Sequence, residues 1–345
     1  MKKRLLSILK IVVPLLVGIY LIWYFYSKLS QEEKDKLFSA FANANYWWIL
    51  LSLVLGWFSH LSRSYRWKFM FEPLGEKLSF WSSYHSIMIG YIVNMIVPRL
   101  GEASRAGVVA ATDDIPFEKS FGTIIAERVV DVIFLAIITG TAIILQYDRM
   151  DDLIAVANNI KSDTKESTST MYYTLIGIAI AGIIGLLILI KIKPVFKTKI
   201  IALTKGFVAG LKTIFTMKKK WYYLLHSAFI WTMYVAMFWV CFYSLEETSN
   251  IGSDGIMAGF IAGTIGFILV QGGLGVYPLF VGTVITLYLN PDLLTSTGQA
   301  DGSATGLAWL IWGSQTLLIL ICGLISLYLV QVKKKRKAKK ISGEA

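Results

Sequence analysis

The sequence predicts an all-α polytopic membrane protein of about six full transmembrane helices and two re-entrant hairpins, arranged as an inverted-topology repeat. Three observations carry that expectation. Of 345 residues, 55% are hydrophobic and only 16% charged, against about 25% charged in a soluble domain. The apolar residues gather in runs near the roughly 20 residues that a bilayer-crossing helix needs. The net charge of +12 sits mostly at the ends: residues 1–10 contribute +4 and residues 333–345 contribute +6. Both ends flank apolar runs, as cytoplasmic anchors do. This composition excludes a secreted scaffold, a disordered regulator and an ordinary soluble enzyme. Cys241 and Cys322 lie in apolar runs, which excludes a disulfide framework or a Cys-based metal site.

Nine apolar runs follow in order: 8–26, 46–62, 80–98, 122–147, 172–192, 221–244, 255–270, 276–290 and 305–330. The first ends in Trp23 to Tyr26 with no small-residue cleavage pattern, so it reads as a retained helix rather than a signal peptide. Segment 63–79 carries Arg63, Arg66, Lys68 and Lys77, and segment 191–220 has nine lysines and no acid; both are expected inside. Segment 148–170 is net −2, and segments 245–254 and 291–304 carry acids but no Lys or Arg; all three are expected outside. Nine crossings cannot satisfy these sides. Six crossings can, if 80–98 enters from the cytoplasm and returns, and if 255–270 with 276–290 dips from outside and returns. That topology places 28 of the 34 basic residues inside. Segment 195–216 repeats apolar residues at helical spacing among lysines, and is expected on the inner membrane surface.

The resulting organisation is a membrane repeat over 1–147 with a hairpin near 80–118, an external linker over 148–171, a second repeat over 172–332 with a hairpin near 255–290, and a basic cytoplasmic tail over 333–345. Inverted repeats of this kind place a transporter's substrate site between the halves, near the midplane. Non-helical backbone at that depth is tolerated only where protein or a water-filled cavity satisfies it.

The chemistry-bearing residues cluster at the hairpin breaks. Pro98 removes a backbone donor and Gly101 permits the turn, beside Arg99, Glu102 and Arg105. Glu102 and Arg105 are spaced to pair or share a face. Charges embedded in a membrane are costly unless paired, and are functional candidates for that reason; a solvated cytoplasmic loop is the alternative reading. At the second break, Gln271, Gly272, Gly273 and Gly275 let backbone approach a ligand or a neighbouring helix, and a half-helix starting after Gly275 would present free amides to an anion. Glu127 and Asp131 share a helix face with Arg128 beside them. They repel unless a cation sits between them, a part that suits Arg99 or Arg105; a structural ion-pair network is the alternative. Arg63, Arg66 and Trp67 read as snorkelling interface anchors at the end of the second crossing. His60, His85 and His226 have no metal-ligand spacing and are expected as interfacial hydrogen-bonding residues.

The ordered set RSYRW at Arg63–Trp67, PRLGEASR at Pro98–Arg105, ERVVD at Glu127–Asp131 and GGLG at Gly272–Gly275 resembles the flippase-like membrane domain of bacterial lysylphosphatidylglycerol synthases, which also occurs as stand-alone proteins. The resemblance spans essentially the whole chain. It implies a multi-pass protein of the bacterial inner (plasma) membrane that handles phospholipid or lipid-linked molecules, with Arg99, Gly101, Glu102, Arg105, Glu127, Arg128, Asp131 and Gly272 to Gly275 lining a central cavity. Family members often carry Pro before the paired glycines and an acid shortly after; here Gln271 and Tyr277-Pro278 stand in those places, which argues against a mechanism needing that carboxylate. The soluble aminoacyl-transferase domain of the bifunctional members is not expected, so neither is lysyl-lipid synthesis.

These readings converge on a lipid translocase in which Arg99 and Arg105 bind an anionic headgroup while Glu102 and Asp131 hold the arginines. No catalytic residue, metal, cofactor or nucleic acid is expected; the partners are membrane lipids. Two alternatives stand beside it. One is a non-transporting partner or scaffold of a separate lipid-modifying or glycosyl-transferring enzyme. The other is a membrane-embedded enzyme using Glu102 or Glu127 as acid or base.

Overall fold

The computed structural model describes residues 16, 19–20, 22–27, 29–97, 100–147 and 216–342, with backbone alone for Gln271 and 336–342. Most of the expected first crossing, Arg99, the linker 148–171, the crossing 172–192 and nearly all of the surface segment 195–216 fall outside the described residues. Among those described there is no strand, residues 22–27 are helical, and ten further α-helices follow. In chain order they are α1 (Gln31–Asn43), α2 (Tyr46–Phe69), α3 (Phe80–Ile96), α4 (Gly101–Asp113), α5 (Phe117–Leu145), α6 (Lys220–Val240), α7 (Ser253–Leu269), α8 (Val276–Leu289), α9 (Pro291–Thr297) and α10 (Gly302–Ser342). Among the described residues, three segments are long and apolar enough to cross a bilayer: Phe117–Leu145, Lys220–Ser244 and Gly302–Lys335. A fourth, α1 with α2, does so as a pair bent by 73°. The chain is an all-α polytopic membrane protein.

Local sequence explains the helix ends. Asn45 caps α2 by accepting from the Trp47 amide, and Ser79 caps α3 by accepting from Ser82. Pro116 and Pro291 mark where α5 and α9 begin. Helix α1 was not anticipated as an element. Its Glu33, Leu37 and Ala40 are buried at helical spacing against the start of α10, where a Cβ on Gly306 would collide with Ala40. The Glu33 carboxylate accepts from the Gly302 amide at 2.5 Å.

Helix α10 serves as a ruler for the rest. Near its Lys333 end, Lys333 Nζ donates to Ser82 Oγ and Asp113 Oδ1, so the open end of the α3–α4 hairpin lies there. Farther along, His85 meets Ser326 and Ile92 packs on Gly323. From the Gly302 end, Gly282 packs on Thr305 and Trp312 Nε1 donates to the Gly272 carbonyl. The α3–α4 and α7–α8 hairpins therefore run in from opposite ends of α10, and their tips approach one another midway. Each hairpin is antiparallel: Gly90 faces Gly101 and Arg105 in the first, while Gly266, Gly263, Gly259 and Gly255 face Tyr277, Val281, Ile285 and Tyr288 in the second.

Helices α2 and α6 lie antiparallel beside the hairpins, with Ser62 Oγ and His226 Nδ1 at 2.8 Å and the Asn45 amide on the Ser244 carbonyl at 2.7 Å. Two hydrophobic cores result. One, around Phe238, Phe260, Val281, Ile285 and Leu307, supports the second hairpin. The other, around Trp67, Phe71, Ile87, Met88 and Val109, supports the first.

Candidate functional site

The site is built from two helix faces. On α2, helical spacing brings Arg63, Arg66 and Trp67 to one side; on α5, Glu127 and Asp131 are one turn apart. The faces meet with Arg66 between the carboxylates. Its Nη2 donates to Glu127 Oε1 at 2.5 Å, and its Nη1 to Asp131 Oδ1 at 2.7 Å and Ser227 Oγ at 3.0 Å. Arg105, on the returning limb of the first hairpin, donates to Glu127 Oε2 at 3.0 Å and lies 4.2 Å over the Trp67 ring. The indole in turn donates to Thr123 Oγ1. Arg63 approaches Glu127 and Asp131 more loosely, at 3.4 and 3.6 Å. Arg66 and Glu127 are 0% exposed, and Arg63 and Arg105 are 4% exposed.

Three arginines against two carboxylates leave this buried cluster with one excess positive charge. Removing an ion from water costs several kcal/mol even after relaxation, so the pairing keeps the group tolerable without neutralising it. The Nε atoms of all three arginines lack partners. At the rim, Arg128 pairs with Glu102 at 3.1 Å and reaches Asp131 at 3.5 Å, with its side chain 45% exposed.

Beside the cluster, between the two hairpin tips, lies a cavity of about 370 Å³. Asn94 and Met95 come from the first hairpin and Gly272 and Tyr277 from the second; His60, Tyr91, Tyr234 and Gln315 supply polar atoms to an otherwise mostly apolar wall. Arg63 is one turn from His60, and its guanidinium lies 6.0 Å from the Tyr234 ring centre. The Nδ1 of His60 has no partner, whereas His85 and His226 each meet a serine.

The expected residues divide. Arg105, Glu127 and Asp131 come together in the cluster, with Glu102 and Arg128 at its rim. Glu102 reaches Arg128 rather than Arg105. Gly101 closes the first hairpin, donating its amide to Asn94 Oδ1 at 2.7 Å, and is not on the cavity wall. At the second tip Gly272, Gly273 and Gly275 all have φ near +70°, and α8 begins at Val276 directly after them. Only Gly272 among the described site residues borders the central cavity. Gly273 packs on Tyr277 and Phe267, and Gly275 borders a separate aromatic-lined pocket of about 600 Å³. The backbone of Gln271 lies in the turn at the tip.

One expectation is corrected. Arg63, Arg66 and Trp67 are not interface anchors; they are buried, and Arg66 is the cation that separates Glu127 from Asp131. Tyr91, Ser227 and Tyr234 were also missed. The sequence signal for them is the shared helical face of Arg63, Arg66 and Trp67 together with the cation that Glu127 and Asp131 on α5 need.

A family model described as the lysylphosphatidylglycerol synthase TM region matches residues 11–313. A UPF0104 membrane protein of Methanocaldococcus jannaschii is 28% identical over 127 residues, which is 35% of this chain and 38% of the relative. The match thus spans well under half of either protein. No solved structure matches the chain. The cluster, both hairpins and all of the described cavity lining except Gln315 and Ile319 fall within the range of the family model, and the chain belongs to the lysylphosphatidylglycerol synthase TM region family.

Proposed function

We propose that the protein translocates a phospholipid or lipid-linked anionic molecule across the membrane, with the cavity between the hairpin tips as its substrate site. The observation that carries this reading is the juxtaposition of a buried cluster bearing excess positive charge with a mostly apolar cavity midway along α10. An apolar wall suits an acyl or prenyl chain, and preorganised arginines suit a phosphate. Hairpins approaching from opposite ends suit alternating access around a fixed site. Parting the first hairpin from α5 requires separation of Arg105 from Glu127 and of Glu102 from Arg128, contacts that an incoming anion competes for.

In this reading the Lys333 end of α10 faces the cytoplasm of a bacterial cell, and both termini lie on that side. Proteoliposomes carrying fluorescent lipids test the proposal through exchange between leaflets. Exchange of at least one anionic lipid class, lost in Arg63→Gln and Arg105→Gln, is the expected result. Absence of exchange for every class, or exchange indifferent to both substitutions, overturns it. Absence of exchange turns attention to the reading in which the chain is the membrane partner of a separate lipid-modifying enzyme.

A further inference from the structure

We infer that Arg63, Tyr91 and Tyr234 form the headgroup subsite of the central cavity, and that the subsite takes a phosphodiester lipid carrying one net negative charge. This rests on the translocase reading and names its substrate class.

The three buried arginines are not equivalent. Arg66 is held by three hydrogen bonds of 2.5–3.0 Å and Arg105 by one of 3.0 Å over an indole face. The carboxylate contacts of Arg63, at 3.4 and 3.6 Å, lie beyond good hydrogen-bond range, and its Nε has no partner. It is a buried guanidinium with donors to spare. Tyr91 and Tyr234 both line the cavity; the Tyr234 ring centre lies 6.0 Å from the Arg63 guanidinium, and Tyr91 packs on His60, one turn from Arg63, at 5.2 Å between ring centres. Arg63 itself is not on the wall; each tyrosine adds a hydroxyl to a wall that also holds His60, one helical turn from Arg63. Among the described residues the cluster has one positive charge in excess, so a monoanion neutralises it and a second negative charge meets no further uncommitted cation. None of the described residues that line the cavity is a carboxylate, so among them the ammonium of a zwitterionic headgroup finds no counter-ion.

The test uses the purified full chain at pH 8 and short-chain lipids, with affinity read from tryptophan fluorescence, since Trp231 and Trp312 line the cavity. The probes are dioctanoyl phosphatidylglycerol (a monoanionic phosphodiester), phosphatidic acid (a phosphomonoester), phosphatidylcholine (a zwitterion) and glycerol phosphate. Phosphatidylglycerol is expected to bind about tenfold or more tighter than the others, the value of one hydrogen-bonded charge. Arg63→Gln is expected to erase that preference. Lys119→Gln, which breaks an exposed pair with Glu76, is expected to keep it. Should Arg63→Gln not fold, the Tyr91→Phe, Tyr234→Phe double variant leaves every arginine in place and is expected to weaken phosphatidylglycerol severalfold.

An unchanged preference in Arg63→Gln, or in the double variant where that is the one tested, overturns the inference. Equal binding of the zwitterion, tighter binding of the monoester, or glycerol phosphate binding as well as the lipid overturns it too. Leaflet exchange without this ranking sinks the inference alone; the ranking without exchange sinks the translocase reading alone.

Discussion

The two hairpins have nearly the same backbone and are held by different chemistry. Each opens with a 17-residue helix, and the returning limbs have 13 and 14 residues. Each breaks at a valine in extended conformation, Val97 at φ −127° and Val270 at φ −123°, whose amide still bonds back to Val93 or Gly266. The first is fastened by polar groups: Asn94 to Gly101, Asp113 to Ser82 and Lys333, and Arg105 to Glu127. The second is fastened by a stripe of glycines that lets α8 approach closely, with Trp312 holding the tip through the Gly272 carbonyl. A charged fastening can be undone by an ion of the right sign. A glycine fastening responds only to bulk. Under the proposed translocase function, this difference assigns the coupling to an anionic substrate to the first hairpin.

The largest expected effect comes from the charged side. Glu127→Ala strands Arg105 in a buried site and leaves Arg66 with Asp131 alone of its two carboxylates, and losing one partner of a buried pair costs about 3–5 kcal/mol. Glu102→Ala, which removes a partly exposed partner of the half-exposed Arg128 and leaves it Asp131, is expected to cost about 1 kcal/mol or less. Thermal unfolding in detergent compares the two, and similar losses would break the claim that the buried pairs fasten the hairpin. On the glycine side, a methyl at position 266 would sit 3.0 Å from the Tyr277 Cα. Backbone cannot swing away, so Gly266→Ala is expected to destabilise by about 1–3 kcal/mol. Gly122→Ala on α5, where nothing lies within 4 Å, is the matched control and is expected to stabilise by up to about 1 kcal/mol. Trp312→Phe keeps one aromatic ring, deletes the bond to Gly272 and loses the fused pyrrole ring, with an expected loss of about 1–2 kcal/mol. A larger loss would mean that the tip depends on that indole more than on its glycines.

Much of this architecture was legible because bilayer physics leaves few options. Run length and the side on which lysines fall pointed to both hairpins, and of the sequence breaks Gly101 and Gln271–Gly275 fall at the observed tips. The site was legible only by half. Glu127 and Asp131 announced an unmet need for a cation because like charges one turn apart repel. The cation came from α2 rather than from the adjacent hairpin, a long-range pairing that no local pattern encodes. Helix α1 escaped because Gln31–Asn43 is largely polar; its place is set by Gly302 and Gly306, more than 260 positions away. Gly275 shows the same limit: glycine marks a close approach but not which cavity the approach borders.

The smallest expected effect tests whether charge contributes at the base of the second hairpin. Asp301 caps α10 through the Ser303 and Ala304 amides, and its own amide bonds Thr286 Oγ1 on α8. Burial pushes its carboxyl above the ordinary aspartate range; the bonds from the Ala304 and Ser303 amides oppose that rise, and the nearby Glu33 adds to it. A carboxyl raised in the folded state favours folding when protonated, so its contribution is complete below the ordinary value and fades as pH rises through the raised one. Asp301→Asn keeps an acceptor for the cap and removes the charge. The variant is therefore expected to match or exceed the parent by up to about 1 kcal/mol at neutral pH, with the gap closing as the pH is lowered toward the ordinary carboxyl range. Unfolding midpoints measured across that range check the sign. A variant weaker than the parent at pH 7 would mean that the ionised carboxylate stabilises this end of α10, and the second hairpin would then carry an electrostatic fastening of its own.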